Sequence, residues 1–412
     1  MSARPRNPAV LVNCYLTGMG MLQSLALADV DIVTVERNDW MGRYRPLMWI
    51  GRYSRIPKFK MTYRPRHGEA LVPSLMDVTR HFDGKAVLFI ADDDDLEEVL
   101  DHYDTLAERY HLPVSREIGH RIFDKNWQYE IAERVHHPLP PYVCFVGGEQ
   151  PPLEHLGFPL IIKPSSRAAA AGARVFRLRL IRDALELERC LQFLARNYAG
   201  RAFQAAEIIP GGPDHLYTVG AYSNRDGRVL RSYTGRKLTQ FPYDHGSVSV
   251  AESLSLPSEV VDKAEALLNE GRIPGITQVE LKLDARDGRF KLIEINDRGW
   301  FWVKLAAYSG VNLPLMQYYD LTEDPRLSAV LAEPQRNDRF FVLDFHVKMN
   351  NLESERQLIE ELRRKKELIP AIYQQGEWML NSAYWLSSLL RRTKRRIVGQ
   401  PPREQQFVTA DE

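Results

Sequence analysis

Apolar and polar positions along the chain follow two rhythms. In the first hundred residues, short apolar runs at 9–12, 30–35 and 85–90 read as buried strands, and helical spacing at 21–27 and 96–110 separates them. Strands alternating with helices imply a parallel, doubly wound sheet. Thr17-Gly18-Met19-Gly20 reads as a tight turn between the first strand and helix, with backbone approach to a ligand as the sharper alternative. Asp92 to Asp95 read as an acidic strand end and helix N-cap, a metal cluster being the minority reading. Between residues 40 and 66 the rhythm is lost. Arg43, Arg45, Arg52, Arg55 and Arg64 stand there among aromatic residues and prolines. A solvated loop region is the default, and an anionic-substrate cleft the alternative. A boundary is expected near residues 111–122.

The middle of the chain changes pattern. A helix is expected from Phe123 to about His136, then a proline-rich link at 138–141 and a short apolar strand at 159–164 that ends by delivering Lys163. The loop 165–172 opens with Ser165 and Ser166, and a second strand follows at 174–180. Strand, small-residue loop and strand can cover nucleotide phosphates, because exposed N–H groups and hydroxyls can approach the oxygens. An ordinary hairpin loop is the plain alternative. A helix at 181–198 leads to a strand at 202–209 carrying Glu207 and Ile209, then to Pro210-Gly211-Gly212 and Asp214. A hairpin with arms 216–222 and 229–233 follows, Gly235-Arg236-Lys237 supplies paired cations after it, and a helix spans 258–270.

The stretch from Gln278 to Arg298 has the period-2 alternation of two half-buried strands. A three-residue loop of Arg286, Asp287 and Gly288, with Gly288 in the left-handed position, places Glu280 directly across from Glu294. Like charges facing each other oppose pairing unless a cation lies between them. Mg²⁺ resolves the conflict, and Asn296, on the same face as Glu294, adds a neutral oxygen while leaving positions for water and phosphates. A solvated hairpin is the plain alternative; the apolar strand around Glu294 weighs against it.

Composition narrows the class. The 412 residues, 44% hydrophobic with a formal net charge of +1, suffice for two or three domains and give no reason to expect nucleic acid as a partner. No stretch approaches the roughly 18 apolar residues of a membrane span, and the apolar run after the first eight residues is too soon interrupted for a secretory signal. Cys14, Cys144 and Cys190 are widely spaced and odd in number, as expected of reduced thiols in a cytoplasmic protein. Near the C-terminus a strand at 340–347 and a charged helix at 353–368 are expected. Trp378, Trp385, Leu386 and Leu389 fall on one helical face, followed by Arg391, Arg392, Lys394, Arg395 and Arg396. Packing of that face against the protein body is preferred over contact with an anionic membrane. The polar run 399–412 is expected to be disordered.

Taken in order, Lys125, Lys163 with its small-residue loop, Glu207 to Pro210, Asp214, Lys237, Glu280 and Glu294-Ile295-Asn296 resemble the ATP-grasp superfamily, and within it the carboxylate–amine ligases similar to D-aspartate ligase. The resemblance covers roughly residues 9–320. It implies an ATP-grasp fold at 116–325, with a lid subdomain at about 142–212, preceded by a small doubly wound α/β domain at 1–115 and followed by a mostly helical C-terminal extension at 326–412. It also implies ATP and Mg²⁺, or Mn²⁺ in its place. Lys125, Lys163, Ser165 and Ser166 would contact phosphates, Glu207 and the backbone near Ile209 the adenine, and Asp214 the ribose. Lys237 would meet the γ-phosphate and Glu280, Glu294 and Asn296 the metal, with Arg298 and Arg236 facing the carboxylate or acyl phosphate. The implied reaction joins a small-molecule carboxylate to an amine, an amino acid or small peptide, in a chain whose oligomeric state is open. Other ATP-grasp chemistry, such as carboxylation or thioester formation, and a silent nucleotide sensor or scaffold are the alternatives. Two departures stand out: Arg167 with four alanines in the lid loop, and Asp297 with the bulky run Trp300-Phe301-Trp302 around Arg298, expected to shape the acceptor pocket.

Overall fold

The computed structural model describes residues 6–37, 51–63, 71–166, 178–241, 246–343 and 353–386. Arg43, Arg45 and Arg64, the lid residues 167–172, Leu389, the basic run at 391–396 and the tail from 399 lie outside these. A five-stranded parallel sheet comes first, built of β1 (Ala9–Val12), β2 (Ile32–Arg37), β3 (Phe59–Tyr63), β4 (Ala86–Phe89) and β5 (Tyr110–His111) in the order β3-β2-β1-β4-β5. Its central strands are apolar throughout because both faces are covered: Val10 and Val12 enter one core while Ala9 and Leu11 enter another.

Helix α1 (Leu16–Leu25) begins earlier than its apolar spacing suggested, so Gly18 and Gly20 lie inside it and form neither a turn nor a ligand loop. A Cβ on Gly18 would stand 2.6 Å from the Asn13 carbonyl oxygen, and one on Gly20 3.3 Å from Val303. Their missing side chains let neighbouring segments pack close. The single helix expected over 96–110 is broken at His102 into α3 (Asp93–Asp101) and α4 (Tyr103–Ala107), which follow α2 (Leu71–Val78), and Tyr110 then opens β5.

After α5 (Lys125–Arg134), a four-stranded antiparallel sheet in the order β6-β9-β7-β8 joins β6 (Tyr142–Val146), β7 (Leu160–Pro164), β8 (Arg179–Ile181) and β9 (Ala202–Glu207). Helix α6 (Ala184–Asn197) starts at the Asp183 cap, later than expected, because Ile181 belongs to β8. Cys190 and Leu194 on its inner face are buried against this sheet.

The third sheet has seven strands in the order β14-β13-β10-β11-β12-β15-β16. Its members are β10 (Leu216–Ser223), β11 (Val229–Phe241), β12 (Ser247–Ser253), β13 (Gly275–Asp284), β14 (Arg289–Asn296), β15 (Arg339–Val342) and β16 (Glu367–Pro370). Gly235, Arg236 and Lys237 therefore lie within a long strand, not after a hairpin. The last two strands come from the C-terminal region, which also supplies a helix at Glu353–Arg363 and another at 378–386. Helices α5 and α7 (Ser258–Glu270) cover one face of the sheet with an apolar core. Over the other face lie Trp300 and Trp302, seated where Gly220 and Gly235 leave room: a Cβ on either glycine would meet the indole at 2.1 and 2.7 Å. The core containing these tryptophans also takes in α1, the helix α8 (Val303–Tyr308), Ile372 and Leu380, joining the first sheet to the C-terminal region.

Candidate active site

Hairpin β13–β14 pairs Gln278 with Asn296, Val279 with Ile295 and Glu280 with Glu294, as its alternation predicted. Nearer the turn the register differs. Leu281 faces Leu292 and Asp284 faces Arg289, so the loop has four residues, 285–288, and Ile293 is an extra residue in β14. The Asp284 carboxylate accepts from the Arg286 N–H at 3.0 Å and meets Lys291 Nζ at 2.7 Å, which tightens the turn and draws Arg289 into the strand. The resulting bulge reverses the alternation. Leu292 and Ile295 both enter the core beneath α5, while Glu294 and Asn296 are left on the opposite face.

That face gathers charge. Glu280 lies opposite Thr218 of β10, and Lys237 Nζ, from β11, is 3.3 Å from Glu280 Oε1 and 3.3 Å from Gln240 Oε1. Asn296 Nδ2 donates to Glu294 Oε1 at 3.4 Å and to Gln278 Oε1 at 3.3 Å, and Gln278 donates onward to Thr218 Oγ1 at 2.9 Å. Burial alone would raise the Glu294 carboxyl, but Lys125, Lys163 and Arg298 bring it below its ordinary value. Lys163 answers in the opposite sense. Burial, then the Lys125 charge, lowers its ammonium to about 8 despite Glu294 and Glu280.

The scaffold explains why these charges meet. Asp124 caps α5 by accepting from the Asn126 N–H at 2.9 Å, setting Lys125 in the first turn. Gln128, one turn on, is buried and clamps β14 twice, donating to the Ile295 carbonyl at 2.8 Å and accepting from its N–H at 2.9 Å. Tyr129 donates to the Leu292 carbonyl at 3.2 Å and offers its ring to Lys163, whose Nζ stands 5.7 Å from the centroid. The Lys125 N–H donates to the Ser165 carbonyl at 2.7 Å, which ties the end of β7 to the start of α5. Sequence reasoning gave no role to Gln128 or Tyr129, which nothing in Lys125-Asn126-Trp127-Gln128-Tyr129-Glu130 marks out, and read Gln278 only as the first residue of the alternating hairpin.

Arg298 reaches across to the first sheet. Its Nη2 is 3.1 Å from Asp93 Oδ2 and its Nε donates to Asp93 Oδ1, although 205 residues separate the two. Burial works against the guanidinium charge, but Asp93, with Glu294 and Asp92, holds its pKa above the ordinary value. Asp92 accepts from the Asp94 N–H at 2.8 Å, the N-cap that the acidic run predicted; the pairing of Asp93 was not foreseen. Gly299 lets this loop lie on α1, since a Cβ there would stand 3.0 Å from Met21 Sδ. Trp300 and Trp302 are core residues 3% and 2% exposed, so they are not available for the acceptor-pocket role expected of the aromatic run, while Phe301 between them is 37% exposed.

Other expected residues are placed variously. Glu207 accepts from the Gly157 N–H at 2.8 Å and lies 3.3 Å from Arg286 Nη1; Ile209 is buried close by in sequence. Asp214 is exposed and 3.2 Å from His215 Nδ1, and its charge acts on Lys282, which burial lowers and which shares a face with Glu280. Ser165 uses both its N–H and its carbonyl in scaffold bonds, and Ser166 is half-buried beside it. Arg236 is not part of the cluster. Alternation along β11 turns it to the opposite face from Lys237, where it pairs with Glu252 at 2.5 Å and stacks on Tyr217, so its expected place before the substrate carboxylate is withdrawn.

Among the described residues no group of three or more His, Cys, Asp or Glu side chains is placed to hold a metal. Glu280, Glu294 and the Asn296 amide form a smaller set of hard oxygen donors with two negative charges. That donor chemistry fits Mg²⁺ or Mn²⁺ taking its remaining ligands from phosphates and water.

Solved structures share this arrangement of sheets. An L-amino acid ligase from Bacillus licheniformis superposes with a TM-score of 0.55 at 17% identity, over 82% of this chain and 79% of the other. An N5-carboxyaminoimidazole synthetase from Staphylococcus aureus, crystallised with ADP, gives 0.55 at 13% identity over 87% and 88%. The chain has the ATP-grasp fold. The parallel sheet precedes the ATP-grasp portion, and β15 and β16 extend it. No family model matches the chain. A curated relative, the D-aspartate ligase of Enterococcus faecium (strain Aus0004), is 25% identical over 251 residues, which is 56% of this chain and 57% of the relative. The chain thus matches just over half the length of that relative.

Proposed function

We propose that this chain is an ATP-dependent carboxylate–amine ligase that activates a small carboxylate, an amino acid or short peptide, as its acyl phosphate and joins it to an amine. Glu294 carries the reading. A half-buried carboxylate that faces Glu280 and is kept ionised by Lys125, Lys163 and Arg298 is an unfavourable way to stabilise a sheet, and it suits a site that binds phosphates and a cation. The similarity to a D-aspartate ligase and to an L-amino acid ligase agrees with this substrate class.

In this reading Lys125 and Lys163, with Ser165 and Ser166, hold the phosphates, Glu207 and the backbone near Ile209 the adenine, and Asp214 the ribose. Glu280, Glu294 and Asn296 hold Mg²⁺ or Mn²⁺, which supplies charge neutralisation on the phosphates. A substrate carboxylate oxygen attacks the γ-phosphorus as the bond to the β–γ bridging oxygen breaks, and ADP leaves while Lys237 neutralises the transferring group. The amine nitrogen then adds to the acyl carbon. Arg298 stabilises the tetrahedral oxyanion, whose collapse expels inorganic phosphate as the nitrogen gives its proton to solvent. No side-chain nucleophile is needed.

The test is ATP turnover in Mg²⁺ with pooled carboxylates and hydroxylamine, read for ADP and hydroxamates by mass spectrometry. A substrate-dependent hydroxamate with stoichiometric ADP is expected. Turnover that requires biotin or coenzyme A would replace the proposal with carboxylation or thioester formation, and ATP binding with no turnover would replace it with a nucleotide sensor or scaffold.

A further inference from the structure

A cavity of about 860 Å³ lies beside α5 and α7, the helices that cover the sheet face turned away from Glu280 and Glu294. It uses none of the residues assigned above to nucleotide or metal. Five arginines line it from separate segments: Arg121 before α5, Arg134 at the end of α5, Arg225 and Arg228 in the turn between β10 and β11, and Arg272 just past α7. Against them stand three carboxylates, Glu117, Asp226 and Glu270. Arg134 Nε meets Glu270 Oε1 at 3.0 Å, but among the described residues Arg121, Arg228 and Arg272 have no acidic partner. Arg121 instead stacks on Trp127, 5.2 Å from the ring centroid, and Arg225 Nη2 meets His111 Nδ1. Burial, then the Arg225 and Lys85 charges, lowers His111 to about 4, so it stands neutral beside Arg225 near pH 7.

The backbone fixes these residues around the cavity. Asn224 Oδ1 accepts from the N–H groups of Asp226 at 3.2 Å and Arg228 at 3.0 Å, closing the turn. Asn269 Oδ1 accepts from the Val229 N–H at 2.8 Å, which fastens the last turn of α7 to the start of β11. Arg272 holds left-handed backbone at φ 48°, an uncommon conformation for a residue with a side chain. The turn is pressed against it, since a Cβ on Gly227 would stand 2.4 Å from Arg272 Cα. Like charges gathered around a hollow repel one another and do nothing for the fold until an anion lies between them.

We propose that this cavity binds a small phosphorylated anion whose diphosphate group is held by Arg121, Arg228 and Arg272. A planar carboxylate accepts one guanidinium fork in its plane, whereas tetrahedral phosphates accept from several directions, which is what arginines on separate segments offer. The volume is that of a small-molecule site.

Calorimetry with inorganic pyrophosphate in the absence of Mg²⁺ tests this on full-length protein. Wild type should bind, and more weakly as salt is raised. Arg228→Gln with Arg272→Asn, asparagine being tolerated in left-handed backbone, should bind at least about tenfold more weakly and keep the wild-type unfolding midpoint, because both side chains are exposed. Arg121→Gln, on a segment of its own, should weaken binding as well. Lys125→Ala with Lys163→Ala, which removes cations of the proposed nucleotide site, should leave the cavity able to bind. Wild-type protein that ignores pyrophosphate, or arginine variants that bind it as wild type does, would overturn the proposal. Binding abolished by the lysine substitutions would overturn it too and assign the anion to the nucleotide site.

Discussion

The two ends of the β13–β14 hairpin each carry a cluster of opposite charges, and the clusters are built differently. At the turn, Asp284 is fully buried and meets Arg286 Nη2 and Lys291 Nζ both at 2.7 Å, while Lys291 also meets Asp287 at 2.9 Å. The Arg286 hydrogen bond and then Lys291 hold the Asp284 carboxyl far below its usual range. Every member lies within eight residues of chain. At the open end the contacts lengthen to 3.3 and 3.4 Å, and the cations come from α5, β7, β11 and the loop after β14. A short, locally supplied cluster closes on itself and serves the fold. One assembled at longer range from separate elements is held by longer contacts, as the proposed phosphate and metal site requires.

Substitutions at the two ends should therefore separate activity from stability. Replacing Glu294 with Gln is expected to lower ADP formation by at least about a thousandfold while the unfolding midpoint moves little; an active variant would break the metal assignment. Asp284→Asn should do the reverse, destabilising by about 3 kcal/mol in urea unfolding while folded protein keeps its turnover. Because the folded Asp284 pKa is depressed, its stabilisation is present above the unfolded carboxylate range and is lost as pH falls through the folded value. The gap between wild type and Asp284→Asn should accordingly narrow in acid.

A third measurement addresses Lys163. Its ammonium, lowered to about 8, carries charge below that pH and loses it above, so ATP affinity measured by calorimetry should weaken by up to about tenfold as pH rises through 8. Lys163→Arg should remove that pH dependence. The smallest effect is expected from Arg286→Ala. Its guanidinium is half exposed, so stability should fall by less than about 1 kcal/mol. A change in ATP affinity without that loss would show that the Arg286–Glu207 pair orients the nucleotide.

Much of the site could be read from the sequence because its signals are local. Glu280, Glu294 and Asn296 alternate with apolar neighbours, and a turn lies between them, so their shared face followed from period alone. The bulge at Ile293 did not, since one extra residue can sit in the loop or in the strand without changing the polar pattern; the Asp284–Lys291 contact decides it. Gly18 and Gly20 read as a turn because their real reason, the nearness of the Asn13 carbonyl and Val303, is tertiary. Asp93 could not be matched to Arg298 across 205 residues, nor could β15 and β16 be assigned to the large sheet. Arg236 and Lys237 illustrate the same limit: adjacent cations look equivalent until a strand sends them to opposite faces.

The glycine slots that seat Trp300 and Trp302 have an optical consequence. Those indoles lie 5.9 Å apart, shielded from solvent and two and four residues from Arg298, whereas Trp378 and Trp385 are 63% and 64% exposed. Intrinsic fluorescence should divide accordingly, with a red-emitting population that acrylamide quenches and a blue one that it does not reach. With the outer signal quenched, the remaining emission includes Trp300 and Trp302 together with the buried Trp127, so a Trp127→Phe background sharpens its report on the loop that holds Arg298 when substrate arrives.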